Sequence, residues 1–188
     1  MKRKGVYTVD IKVIAGFFLI SLLLFTSPVS ATQTCRSDLN ASTPTGRFLN
    51  NGDGTVTDSV TKLTWKRCSE GLSGKTCESG SAVTYTWPEA IEAVAASTFA
   101  GKKDWRLPTI QELDSIVEYK CTMPSVNAEI FPVTPISNFW SSSPFAGYPN
   151  GSWNINFNDG SHESCSRNWN LYVRLVRGGH SSQEGSCR

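Results

Sequence analysis

The sequence predicts an α+β fold, and three observations carry that prediction. Short alternating stretches follow residue 46, two capping-box sequences mark helices in the middle, and a proline-interrupted stretch then gives way to further alternating segments. Strands before and after the helices, with no βαβ alternation and no internal repeat, exclude a doubly wound or solenoid architecture.

Residues 1–31 read as a secretory signal. Lys2, Arg3, Lys4 and Lys12 supply a positive start, Val13 to Phe25 an apolar run, and Val29-Ser30-Ala31 the small residues where a peptidase would cut. The run falls short of the roughly 20 residues that a membrane helix needs, so no membrane span is expected after cleavage. Cleavage would remove four of the 18 basic and one of the 16 acidic residues. The remainder is slightly acidic, which gives no electrostatic footprint for nucleic acid.

All six cysteines, Cys35, Cys68, Cys77, Cys121, Cys165 and Cys187, lie beyond the signal. An even count behind a secretory segment reads as three disulfides in an oxidising compartment, secreted or periplasmic. Sequence alone does not choose among the pairings. The set favoured here is Cys68–Cys77, which closes a short Gly/Ser-rich loop, with Cys35–Cys187 joining the two ends and Cys121–Cys165 left over.

Residues 32–46 form a polar linker or strap, and 47–188 the folded domain. Arg47 to Cys68 reads as a small meander. Phe48-Leu49 enters a turn at Asn50 to Gly54, Thr55 to Asp58 leaves it, and Leu63 and Trp65 share one face of the next strand. Asn51, Asp53 and Asp58 in this turn are candidate calcium ligands. The twelfth position of an EF-hand loop would fall on Lys62, not glutamate, and Asn-Gly and Asp-Gly are strong hairpin-turn dipeptides in their own right. The sequence otherwise calls for no cofactor.

Thr86-Trp87-Pro88-Glu89 is a capping box with proline in the first turn, and predicts a helix to Ala96 burying Ile91, Val94 and Ala95. The stretch Asp104 to Leu113 organises the chain around it. Trp105 and Leu107 should enter the core and Arg106 should point away, to an ion pair or a carbonyl. Thr109 and Glu112 then cap a second helix, Ile110 to Tyr119, burying Leu113, Ile116 and Val117. Glu112, Asp114 and Glu118 are expected on its wet face.

Beyond Cys121, five prolines exclude long regular elements. Short strands fit at Phe139 to Ser143, Trp153 to Asn158 and Leu171 to Arg177. Tyr148 to Tyr172 is the richest candidate binding surface. Asn154, Asn156 and Asn158 alternate with apolar residues, and His162, Arg167, Asn168, Trp169 and Asn170 fill the following loop, flanked by Tyr148 and Tyr172. Directional amides beside rigid aromatics are the mix that binding loops use. The competing reading is a solvated hairpin with Trp169 folded beneath it.

Enzyme signatures are missing. There is no nucleophile elbow, no His-Glu-x-x-His and no phosphate loop, and the two histidines, His162 and His180, lie in polar segments. The expectation is a non-enzymatic module.

Several collinear segments together resemble the bacterial DUF1566 family, related to the C-terminal domain of a Legionella collagen-like adhesin. They are Asn51 to Asp58, Leu63-Thr64-Trp65-Lys66, Thr86 to Ala90, Asp104 to Thr109, Phe139 to Ser143 and Val173 to Gly179. The resemblance implies a C-type-lectin-like fold with two helices flanking a small, mostly antiparallel sheet and a long irregular loop region. It also implies a secreted or periplasmic module that binds a surface glycan or protein ligand, in the manner of an adhesin. The formylglycine-generating enzymes share that fold and a similar Arg-Leu-Pro-Thr segment, so an enzyme of that type is one alternative. A structural envelope component or homo-oligomeric adhesin head is another. Only Tyr148-Pro149-Asn150 approaches the sugar motif of a calcium-dependent lectin.

Overall fold

The computed structural model describes residues 32–179. The signal segment, His180 and Cys187 lie outside the described residues. Strand β1 (Thr34–Cys35) is followed by β2 (Phe48–Asn50), β3 (Thr55–Asp58) and β4 (Thr64–Lys66). Short strands β5 (Leu72–Ser73), β6 (Ser79–Gly80) and β7 (Thr84–Tyr85) lead to helices α1 (Trp87–Ala95) and α2 (Ile110–Asp114). The chain ends with β8 (Cys121–Thr122), β9 (Asn138–Pro144), β10 (Gly151–Asn156), β11 (Ser161–Ser166), β12 (Leu171–Tyr172) and β13 (Val176–Arg177).

This is a mostly β molecule, and the expected α+β, C-type-lectin-like layout does not hold. The described residues form thirteen strands in four sheets, with α-helices of only nine and five residues. Both helices start where their capping boxes place them. At Thr109, the hydroxyl accepts Glu112 N at 3.2 Å and the Glu112 carboxylate accepts Thr109 N at 2.8 Å. The second helix nevertheless stops five residues short of Tyr119. Past Asp114 the backbone is captured by strand-like pairing instead: Val117 bridges Val126, and Glu118 N donates to Ser125 O at 3.1 Å. Leu113, Ile116 and Val117 are still buried, delivered by a turn rather than a helix. On α1, the buried residues are Ala90 and Val94, while Ile91 and Ala95 face solvent.

Two sheets matter for function. The four-stranded sheet, in the order β13-β4-β3-β2, holds the predicted meander. The five-stranded sheet runs β11-β10-β9-β12-β7, with β11 at its edge. The segment Leu171 to Arg177 is not one strand. It divides into β12 in the larger sheet and β13 in the smaller, and the buried Val173, Arg174 and Leu175 tie the two together.

The core has two clusters. One joins Trp65, Phe131 and Leu113 to Phe139, Ile155 and Phe157 of the larger sheet. The other packs Ala90 and Val94 of α1 against Trp105, Leu107 and Trp140. Trp105 and Leu107 are buried as their alternation requires, and the Trp105 indole donates to Phe99 O at 2.9 Å. Arg106 takes the ion-pair role: its guanidinium grips both Glu112 oxygens at 2.6 and 2.7 Å and donates to Gly178 O at 2.8 Å.

Two disulfides form. Cys68 pairs with Cys77. Cys35 pairs with Cys121, not with Cys187, because β1 and β8 are antiparallel with these two residues directly opposite. That pairing also overturns Cys121–Cys165: Cys165 is a free thiol among the described residues.

Candidate functional site

A groove of about 630 Å³ opens along β11, bounded by Asn138, Tyr148, Glu163, Cys165, Trp169 and Leu171. That volume falls in the range of small-molecule clefts. Trp169 dominates it. Three of the six tryptophans, Trp65, Trp105 and Trp140, are core residues, whereas Trp169 is 64% exposed. A large flat apolar group held in water has no folding benefit to explain it.

The loop that carries Trp169 is held rigidly. Arg167 lies 4.1 Å above the Trp87 ring, donates from Nε to Ser152 Oγ at 2.8 Å, and its carbonyl accepts Trp87 N at 2.9 Å. Trp169 N donates to Ser166 O at 3.0 Å. Arg167 therefore positions the loop. Asn168 and Asn170 are exposed on either side of Trp169.

The opposite wall is polar. Glu163, on the edge strand, accepts Asn138 Nδ2 at 2.7 Å on one oxygen and Asn156 Nδ2 at 3.2 Å on the other. Two amides thus fix the carboxylate in a single orientation. Ser137, Ser164 and Ser166 complete the lining. Tyr148 forms its end, pressed so close to Gly151 that a Cβ there would lie 2.8 Å from the tyrosine ring. The Cys165 thiol is pushed up to about 11, by burial first and then by the Glu163 charge, so it stays protonated at neutral pH.

The structure separates the remaining sequence candidates. Asn154 is fully buried, accepting Asn138 Nδ2 at 2.6 Å and donating to Cys165 Sγ at 3.5 Å. It supports the groove from below. Asn158 lies beyond the end of β10, where its N–H donates to Asn156 Oδ1 at 2.9 Å. Tyr172 is half-buried against Phe139, ring centroids 5.5 Å apart, and belongs to the core. His162 faces the other side of the sheet, 3.0 Å from Asp114.

The calcium candidates do not converge on an open site. Asp58 is fully buried, and its oxygens already accept Arg47 Nε and Nη2, Val60 N and Thr61 Oγ1. Burial alone would raise the Asp58 carboxyl, but these donors outweigh it and hold it below the ordinary value. Asp53 caps its own turn through Thr55, and Asn51 bonds Thr55 and Thr57.

Sequence reasoning missed Asn138 and Glu163. The alternation Ser161, Glu163, Cys165 on one face of a short strand was a legible signal for Glu163. Nothing local announced Asn138, which arrives from a strand 25 residues earlier in the chain. Glu112 and Glu118 were expected in solvent and are instead committed to the fold, the first to Arg106 and its helix cap, the second to Ser42 and Thr43.

The family model of the Lcl C-terminal domain matches residues 54–177, and the chain belongs to that family. The match covers the five-stranded sheet, strands β3, β4 and β13 of the four-stranded one, and every residue of the groove. No curated protein matches the chain. Family and disulfides together point to an extracellular surface module, and none of the described helices is long and apolar enough to cross a membrane.

Proposed function

We propose that this member of the Lcl C-terminal domain family is a secreted or periplasmic binding module whose Trp169 groove recognises an uncharged glycan at the cell envelope. The observation that carries the reading is the exposed Trp169 fixed over a small concave groove whose other wall is amide, carboxylate and hydroxyl. A sugar ring has an apolar face and a rim of hydroxyls. Trp169 and Tyr148 offer flat surface for the face, while Glu163 accepts from the rim with its oxygens already oriented by Asn138 and Asn156.

Glu163 also sets the sign of the selection. Among the described residues it is the only acidic or basic side chain on the groove walls, so a sulfated or carboxylated sugar would meet a carboxylate at short range. Glu163→Gln is expected to weaken neutral-glycan binding by about 1.5–3 kcal/mol, the worth of a hydrogen bond to a charged group, and to narrow the preference over sulfated analogues. A glycan array carrying both classes, run with wild type and variant, reads both effects. Binding confined to sulfated glycans would sink the proposal.

A protonated, half-buried Cys165 thiol supports binding over formylglycine-type catalysis, which needs a reactive cysteine. A glycan fits better than a folded protein partner because the groove is concave and small, whereas a stable protein interface needs roughly 800 Å² per partner.

A further inference from the structure

A second cavity lies on the other face of the β10–β11 hairpin, between that hairpin and α2. We infer that it is a second subsite for the same ligand, so that the module binds an extended sugar chain and not a single terminal residue. The inference rests on the glycan reading of the Trp169 groove and adds to it.

The second cavity has a volume of about 330 Å³ and is lined by Ile110, Gln111 and Asp114 of α2, Trp153 of β10 and His162 of β11. Its chemistry repeats that of the first. Trp169, Glu163 and Asn138 in the groove correspond to Trp153, Asp114 and Gln111 here: one indole, one carboxylate and one amide each. The carboxylate is again oriented by the protein. One Asp114 oxygen accepts the Tyr119 hydroxyl and lies 3.0 Å from His162 Nε2, and the other has no donor among the described residues. Burial, then Asp114, raises Tyr119 to about 12, so this hydroxyl remains a donor throughout the physiological range.

An aromatic path joins the two cavities. Trp153 meets the edge of Phe145 with ring centroids 4.9 Å apart, and Phe145 meets Tyr148 at 5.4 Å. Tyr148 is the end wall of the Trp169 groove. Phe145 and Tyr148 of the loop between β9 and β10, with Trp153 of β10, therefore form three touching rings that lead around the β9–β10 turn from one subsite to the other. Successive apolar sugar faces can follow such a track. Two weak subsites engaged by one chain multiply in affinity, because binding at the first fixes a high local concentration at the second.

The test is calorimetric titration of the full chain with gluco-, manno- and chito-oligosaccharide ladders of one to about six units, using wild type, Asp114→Asn, Gln111→Arg and Trp169→Ala. Gln111→Arg fills the cavity from the exposed face of α2 without touching the core. For the ladder that binds, affinity is expected to rise at least about tenfold from the shortest to the longest members. Asp114→Asn and Gln111→Arg should erase that rise while leaving the shortest bound member unchanged, and Trp169→Ala should weaken every length. Affinity independent of length, or a rise that survives both α2 variants, overturns the second subsite while the groove reading stands. Binding indifferent to Trp169→Ala, or no binding by any ladder, overturns both.

Discussion

Arg174 carries a guanidinium into the core with no carboxylate of the described residues bonded to it. It is fully buried, stacked 4.8 Å from the Phe131 ring centroid and 5.7 Å from that of Phe139. Its hydrogens go to Lys66 O, Arg67 O, Ser69 Oγ and Thr134 Oγ1, and Nε finds no partner. The side chain ties β12 and β13 to β4 at the junction of the two sheets. Arg174→Ala should cost about 3–5 kcal/mol in urea unfolding, from the cavity together with the orphaned acceptors. Lysine should not restore it, since one ammonium cannot reach both carbonyls and still stack between rings. A loss below about 1 kcal/mol would show that the junction does not depend on this residue. Glu118 poses the opposite problem, a buried anion. Burial alone would raise its carboxyl, but the N–H groups of Thr43 and Ser42 and the Thr43 hydroxyl outweigh that and hold it below the ordinary carboxylate range. A depressed folded value stabilises the fold above the unfolded value of about 4.3, and that contribution is lost as pH falls from there through the lower, folded value. Unfolding free energy should therefore decline below about pH 4, and Glu118→Gln should be less stable at pH 7 with a shallower acid decline. Parallel pH curves for variant and wild type would remove Glu118 from the account.

Among the elements, β1 and β8 matter beyond their two residues each. They place Cys35 opposite Cys121 and so anchor the strap through Ser42 and Thr43, whose groups satisfy Glu118. The crosslink closes a separation of 86 residues, for which the chain-entropy relation gives about 4–5 kcal/mol, against about 3 kcal/mol for Cys68–Cys77 at a separation of 9. Cys35→Ser should accordingly lower stability more than Cys77→Ser in the same denaturant series; the reverse order would contradict the pairing. Local chemistry made several elements readable in advance. Capping boxes gave both helix starts, Asn-Gly and Asp-Gly gave the first hairpin, and two-residue alternation gave the buried face of Trp105 and Leu107, whereas β10 is buried on both faces, Asn154 as fully as Ile155. What escaped depends on partners distant in the chain. The second helix ends at Asp114 because Val126 competes for Val117, and Leu171 to Arg177 divides because two sheets claim its ends. The cysteine pairing failed for the same reason, since it follows the β1–β8 register and not the proximity of termini.

At the scale of the whole molecule, a mostly β framework supports a hairpin whose two faces differ in what they meet. One face of β10–β11 turns toward α1 and the Trp169 groove, the other toward α2 and Trp153. The sequence pointed to Tyr148 to Tyr172, yet it could not tell which residues there are held by the fold and which stand free of it. Asn154, Arg167 and Tyr172 carry the same residue types as a binding surface and are spent on the fold, whereas Trp169 and Tyr148 remain available. The distinction rests on burial, which alternation suggests but the edge position of β11 decides. The proposed role of Trp169 at the ligand, outside the core, is measured directly by comparing Trp169→Ala with wild type in two assays on the same preparation. Binding of the neutral glycan found on the array is expected to fall by about 2 kcal/mol or more, as for an aromatic anchor, while urea stability stays within about 0.5 kcal/mol, as for an exposed position. Unchanged binding, or a stability loss of several kcal/mol, would contradict it.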